Sequence, residues 1–202
     1  MNILGIKLKS KTNANVFVVE TDVGNYNFHS DIIVKCNIKV GDVDEKQFFL
    51  AVQESEELIA MGVAMKYVAS NLKTEKQIKD YLYKKEFSKQ TIDVVIEKLK
   101  EYKVIDDKVY AETYLKSNPN FSKRKVQQKL SSFGVKRDLA EEITNEVDDL
   151  TSCQINANKF LKNKTLNKET VEKLIRRLTY MGYRWDTIKG VLNNLKFEYE
   201  EE

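Results

Sequence analysis

Apolar positions recur at intervals of four along the chain and then return, in the same order, 48 residues further on. Ile78 and Leu82, Val126 and Leu130, and Leu174 and Leu178 are three copies of one pair, each preceded by a hydroxyl residue, Thr74, Ser122 or Thr170. The register continues through Ile92, Ala140 and Ile188, through Val95, Ile143 and Val191, and through Leu99, Val147 and Leu195. Residues four apart share a helix face, and a hydroxyl at the start accepts a hydrogen bond from an N–H of the first turn. Each copy therefore predicts a capped amphipathic helix. Gly134 and Gly182 stand where such a helix ends in a left-handed turn. Glu86 holds that place in the first copy, so its turn is expected to differ. A shorter pattern precedes each capped helix: Ala64 with Tyr67 and Val68, Ala111 with Tyr114 and Leu115, Ala157 with Phe160 and Leu161. It puts a small and a large apolar residue on one helical stripe. One unit is then three helices, and three tandem units make nine.

Ile3 to Val34 follows a different rhythm. Val16 to Glu20 and Tyr26 to Phe28 flank the turn-rich Thr21–Gly24, which predicts a β-hairpin, with Ile3 to Leu8 as a third strand. Asp31 is placed to cap a short helix through Val34. Gly41 and Asp42 mark a turn, and Asp44 with Gln47 has the spacing of a capping box opening another helix. The fold class expected is mainly α: an elongated tandem array of three three-helix repeats, preceded by a small N-terminal β-hairpin and strand-plus-helix extension. The expected divisions are residues 1–56 for the extension and 57–105, 106–150 and 151–202 for the repeats.

Composition agrees with such an array. The chain has 202 residues, 42% hydrophobic and 32% charged, which suits a thin stack of units better than a sphere. No apolar run approaches a membrane span and the N-terminus is not a signal peptide, so a cytoplasmic protein without membrane contact is expected. Cys36 and Cys153 are too few and too far apart for a disulfide framework or zinc site, and read as reduced thiols. His29 is the only histidine, which removes most metal and acid-base schemes. Asp106 and Asp107 stand before a helical pattern and read as N-terminal caps rather than metal ligands. With no Gly-rich phosphate loop and no nucleophile elbow, neither an enzyme nor a cofactor is expected.

Charge is uneven. Residues 1–60 hold 6 basic and 9 acidic groups, 61–150 hold 18 and 15, and 151–202 hold 10 and 7. From Lys123 to Arg137 there are six basic residues, Lys123, Arg124, Lys125, Lys129, Lys136 and Arg137, and no acidic one. At about 100° per residue, Lys125 and Lys129 share one flank of the buried stripe while Arg124 points away. The repeat period puts Lys173 and Arg177 on the equivalent flank of the third unit, beside Arg176, and returns Lys136 as Arg184. The first unit has Gln77, Tyr81 and Ser88 at these places. A strip of this kind suits DNA phosphates or the acidic surface of a protein; the plain alternative is a solvated helix face. Tyr81, Tyr180, Tyr183 and Trp185 are candidate stacking surfaces for bases, though Tyr183 occupies an apolar repeat position and reads as core.

Together these features resemble a known family. Ile105, Asp106, Asp107, Tyr110 and Ala111, the helix of Ser122, Val126, Leu130, Gly134 and Val135, and the three tandem units closely resemble RecX, the regulatory protein of the RecA recombinase. The hairpin, the run Asp31 to Lys35 and the Gly41–Asp42 turn are similar to the extension of longer members. The resemblance implies a non-catalytic modulator, mainly an inhibitor, that lies in the groove of the RecA filament on single-stranded DNA. It would restrain ATP hydrolysis and strand exchange, regulating recombination and DNA repair. The expected partners are the RecA filament and single- or double-stranded DNA, met by a monomer. Two other readings stay open: a free-standing DNA-binding protein of three-helix repeats, and a helical scaffold for another acidic partner.

Overall fold

In the computed structural model, which describes residues 1–10 and 15–200, the alternating N-terminal segments pair into one antiparallel sheet. Strands β1 (Asn2–Leu8), β2 (Val16–Thr21), β3 (Gly24–His29) and the short β4 (Gly41–Asp42) lie in the order β3-β2-β1-β4. Thr21 sets the hairpin turn: its hydroxyl accepts from the Gly24 N–H (3.1 Å) and donates to the Gly24 carbonyl (2.8 Å). The two-residue period turns Val19 and Phe28 inward, where with Ile3 they meet Ile32 of α1 (Ser30–Lys35) and Phe48 of α2 (Glu45–Val68). His29, and not Asp31, caps α1. Its Nδ1 accepts from the Asp31 N–H (3.3 Å), leaving Asp31 to place its charge in the first turn.

Asp44 opens α2 by accepting from the Gln47 N–H (2.8 Å). The helix then runs for 24 residues, with Phe48 and Ala51 packed in the sheet's core and Ala60 and Ala64 in that of the first repeat. Two expected helices are therefore one, because the polar stretch Gln53–Glu57 contains no glycine or proline to stop it, and Gly62 further on is carried within the helix. Position 57, the expected start of the first repeat, lies inside α2. Helices α3 (Glu75–Tyr83) and α4 (Lys89–Glu101) complete this unit, which spans Met1–Ile105. Thr74 and Gln77 form a reciprocal capping box on α3, and Ser88 caps α4.

The second unit, Asp106–Glu202, holds α5 (Asp107–Ser117), α6 (Lys123–Ser132), α7 (Arg137–Ile143), α8 (Asp149–Leu161), α9 (Lys168–Tyr180) and α10 (Trp185–Glu200). Ten helices are thus present among the described residues. Asp106 caps α5, accepting from the N–H groups of Lys108 (2.7 Å) and Val109 (3.2 Å). The anchors of the sequence repeat, Ile78, Val126, Leu174, Leu82, Leu130 and Leu178, are all fully buried. One core forms around Val126 and Leu130 and another around Leu174 and Leu178, with Phe121 packed against both.

Three details depart from the pattern. Helix α9 starts one turn early: Asn167 caps it and accepts from the Thr170 N–H (2.8 Å), so Thr170 is not the cap. Helix α7 stops after Ile143, because the Thr144 hydroxyl donates to the Ala140 carbonyl (2.7 Å) and accepts from Gln127 (2.8 Å) as the chain turns. Val147 consequently lies outside a helix, whereas Leu99 and Leu195 lie inside theirs. Finally, Glu86 adopts φ 64°, left-handed like Gly134 (93°) and Gly182 (92°). The Phe87 N–H donates to the Leu82 carbonyl (3.3 Å), just as Val135 does to Leu130 (3.0 Å) and Tyr183 to Leu178 (3.2 Å). The turn keeps the same bonds without a glycine, at a cost of about 1–2 kcal/mol.

Candidate partner-binding surface

The start of α6 is held from two sides. The Ser122 hydroxyl accepts from the Lys125 N–H (3.2 Å) and the Asp149 carboxylate from the Lys123 N–H (2.7 Å). With Val126 and Leu130 buried, Lys123, Arg124 and Lys125 fill the first turn and Lys129 follows one turn on. Three cations at the positive end of a helix dipole work against helix stability. On α9, Leu174 and Leu178 are buried while Lys173, Arg176 and Arg177 are exposed. The Arg177 guanidinium lies 5.9 Å from the centre of the Phe160 ring, and Lys164 Nζ lies 3.4 Å from the same ring.

Ion pairs sort the ten basic residues. Lys173 bonds Glu169 (2.6 Å) and Arg137 bonds Glu141 (2.7 Å), both four residues apart on one helix. These hydrogen bonds hold the Glu169 carboxyl below its ordinary range and Arg137 above its own. The other eight, Lys123, Arg124, Lys125, Lys129, Lys136, Arg176, Arg177 and Arg184, have no carboxylate within 4.0 Å among the described residues. Arg176 turns its Nε toward the Glu172 carbonyl at the edge of hydrogen-bonding range (3.5 Å).

Two of the eight occupy a telling place. Ser88, Lys136 and Arg184 are equivalent in the repeat. Ser88 caps α4 by accepting from the Thr91 N–H (3.2 Å), whereas Lys136 stands at the N-cap of α7 with no side-chain cap bond. Arg184 immediately precedes α10 and is exposed. In the second and third repeats a cation that the helix dipole disfavours stands where the first repeat has a stabilising hydroxyl.

The four candidate aromatic residues divide cleanly. Tyr81 stacks on Tyr67, with ring centres 4.0 Å apart, and Tyr183 is 4% exposed. The Tyr183 hydroxyl donates to the Asn120 carbonyl (3.1 Å) and accepts from Asn156 (3.0 Å), and burial pushes its pKa up to about 12. Tyr180 and Trp185 remain in solvent. Lys125 Nζ stands 5.1 Å over the Tyr180 ring, a pairing of residues 55 positions apart that no local pattern signals. Phe160, beneath Lys164 and Arg177, is likewise signalled as a ring facing cations by no local pattern. Its place in the small-and-large stripe marked it only as an apolar residue.

Among the described residues, no cluster of three His, Cys, Asp or Glu side chains could hold a metal ion, and no helix is long and apolar enough to cross a membrane. What the fold and the surface define is a helical-repeat protein with a basic surface.

Comparison with known proteins makes that class specific. Residues 60–99 match the family described as RecX, first three-helix domain. A Regulatory protein RecX of Clostridium botulinum (strain Alaska E43 / Type E3) is 30% identical, covering 97% of this chain and 96% of the relative. One from Staphylococcus aureus (strain JH9) is 31% identical over 97% of this chain and 74% of its own. The crystal structure of a regulatory protein RecX shares the fold, with a TM-score of 0.64 at 17% identity, covering 95% of this chain and 98% of that one. The chain belongs to the RecX family and has a regulatory role.

Proposed function

We propose that this protein is a non-catalytic modulator, mainly an inhibitor, of the RecA recombinase. It binds in the groove of the filament that RecA forms on single-stranded DNA and restrains ATP hydrolysis and strand exchange. The observation that carries this reading is two pairs of repeat-equivalent cations, Lys129 with Arg177 and Lys136 with Arg184, none of them held by a carboxylate among the described residues. Cations repeated in register suit a partner that is itself periodic and negatively charged, such as recombinase protomers with the phosphates between them. Binding one state of the filament more tightly than another shifts its assembly equilibrium, and no bond need be made or broken.

The test is DNA-dependent ATP hydrolysis by RecA on single-stranded DNA, with this protein titrated in at ratios too low to coat the DNA. Inhibition at those ratios is expected. No inhibition, together with tight, salt-sensitive binding to bare duplex, would instead identify a free-standing DNA-binding protein.

A further inference from the structure

We propose that the turn joining α9 to α10 is a stacking site for single-stranded nucleic acid, with Tyr180 and Trp185 taking bases and Lys125, Arg177 and Arg184 taking phosphates. The proposal rests on the reading of repeats two and three as the contact surface, and it names the ligand chemistry at one point of it.

The turn handles its aromatic side chains in two ways. Tyr183 is 4% exposed and fully bonded through its hydroxyl, as a structural ring should be. Tyr180, the last residue of α9, is 71% exposed, and Trp185, the first of α10, is 57% exposed. Burying a large apolar side chain contributes about 1.5–3 kcal/mol, so two rings left in water on either side of a packed one forgo that gain. Neither belongs to the core built around Leu174 and Leu178.

The charges around the rings favour a strand of nucleic acid over an apolar partner. Lys125 Nζ sits 5.1 Å over the Tyr180 ring, so a cation and an open aromatic face are presented together. Arg177 lies one turn back along α9 and Arg184 directly precedes Trp185. None of the three has a carboxylate within 4.0 Å among the described residues; Asp186, the acid in the first turn of α10, pairs with none of them. Base–aromatic stacking with nearby cations is how proteins hold single strands without regard to sequence. A duplex keeps its base faces inside, so these rings discriminate against it.

Trp185 is the only tryptophan in the chain, so its emission reports on the site directly. Full-length protein is titrated with oligo-dT, and separately with a duplex, in the absence of any recombinase. Oligo-dT is expected to quench Trp185 and the duplex to leave it unchanged. Tyr180→Leu should weaken oligo-dT binding on the order of tenfold while Tyr180→Phe, which keeps the ring, retains it. Trp185→Leu, followed by the anisotropy of a labelled oligo-dT, should show a comparable loss. Both side chains are exposed, so the variants should keep the wild-type circular dichroism. Absence of quenching, equal quenching by duplex, or wild-type affinity in Tyr180→Leu overturns the proposal. If RecA ATP hydrolysis is still restrained in that case, the stacking site alone falls and the regulatory reading stands.

Discussion

Gly182 lies so close to Ser122 that a methyl group on its α-carbon would stand 2.7 Å from the Ser122 hydroxyl and 2.6 Å from Lys125 Cβ. The Ser122 N–H donates to the neighbouring Met181 carbonyl (3.0 Å), so the end of α9 is seated on the start of α6. One glycine thus serves two purposes, a left-handed turn at φ 92° and a close approach between the second and third repeats. Gly182→Ala should destabilise the protein by about 2–4 kcal/mol, combining backbone strain with overpacking. Urea denaturation checks this, and a loss below about 1 kcal/mol would show that the joint gives way easily.

The reverse change is predicted at the equivalent place in the first repeat. Glu86 holds φ 64° in a turn closed by backbone bonds, and its side chain has no hydrogen bond or ion pair among the described residues. Glu86→Gly should therefore stabilise the protein by about 0.5–1 kcal/mol, the relief of left-handed strain exceeding the extra chain entropy.

Lys136 and Arg184 should show stability and function in opposition. Restoring the cap with Lys136→Ser or Arg184→Ser should raise stability by about 0.5–1 kcal/mol each. The same variants should restrain RecA less. Thermal unfolding and ATP hydrolysis read the two effects on one preparation, and unchanged restraint would remove these cations from the contact.

Alkaline pH should weaken the second unit. Burial pushes the Cys153 thiol from 9.0 up to about 11 and the Tyr183 hydroxyl from 10.0 up to about 12. Above the unfolded value the unfolded chain has released a proton that the folded chain still holds, so stability falls as pH rises. The loss should begin near pH 9 and extend toward 12. Lysines also titrate there, so the readout is the difference between wild type and Tyr183→Phe, whose curve should be the flatter.

Much of this structure is legible in local spacing. The buried anchors, the caps at Thr74, Ser122 and Asp106, and the glycine turns all follow from residue type and interval, because each is decided within one or two helical turns. The features that local spacing misses depend on competing neighbours or on tertiary packing. Asn167 is as good a cap as Thr170 and comes first along the chain. Thr144 ends α7 through bonds to its own helix and to Gln127 of α6. The pairing of Lys173 with Glu169 and Arg137 with Glu141 was readable from their spacing of four. The seating of Tyr180 under Lys125 was not, since tertiary packing alone brings those residues together.

Charge reversal compared across the two classes of basic residue tests whether cations in register, without a carboxylate partner among the described residues, form the regulatory contact. Lys129→Glu with Arg177→Glu, neither paired with a carboxylate among the described residues, is set against Lys173→Glu with Arg137→Glu, both already bonded to glutamates. Each pair is assayed for substoichiometric restraint of ATP hydrolysis by RecA on single-stranded DNA, with helix content checked by circular dichroism. The first pair should abolish restraint with helix content unchanged, and the second should reduce it only partly. Full restraint by the first pair would show that the regulatory contact lies elsewhere.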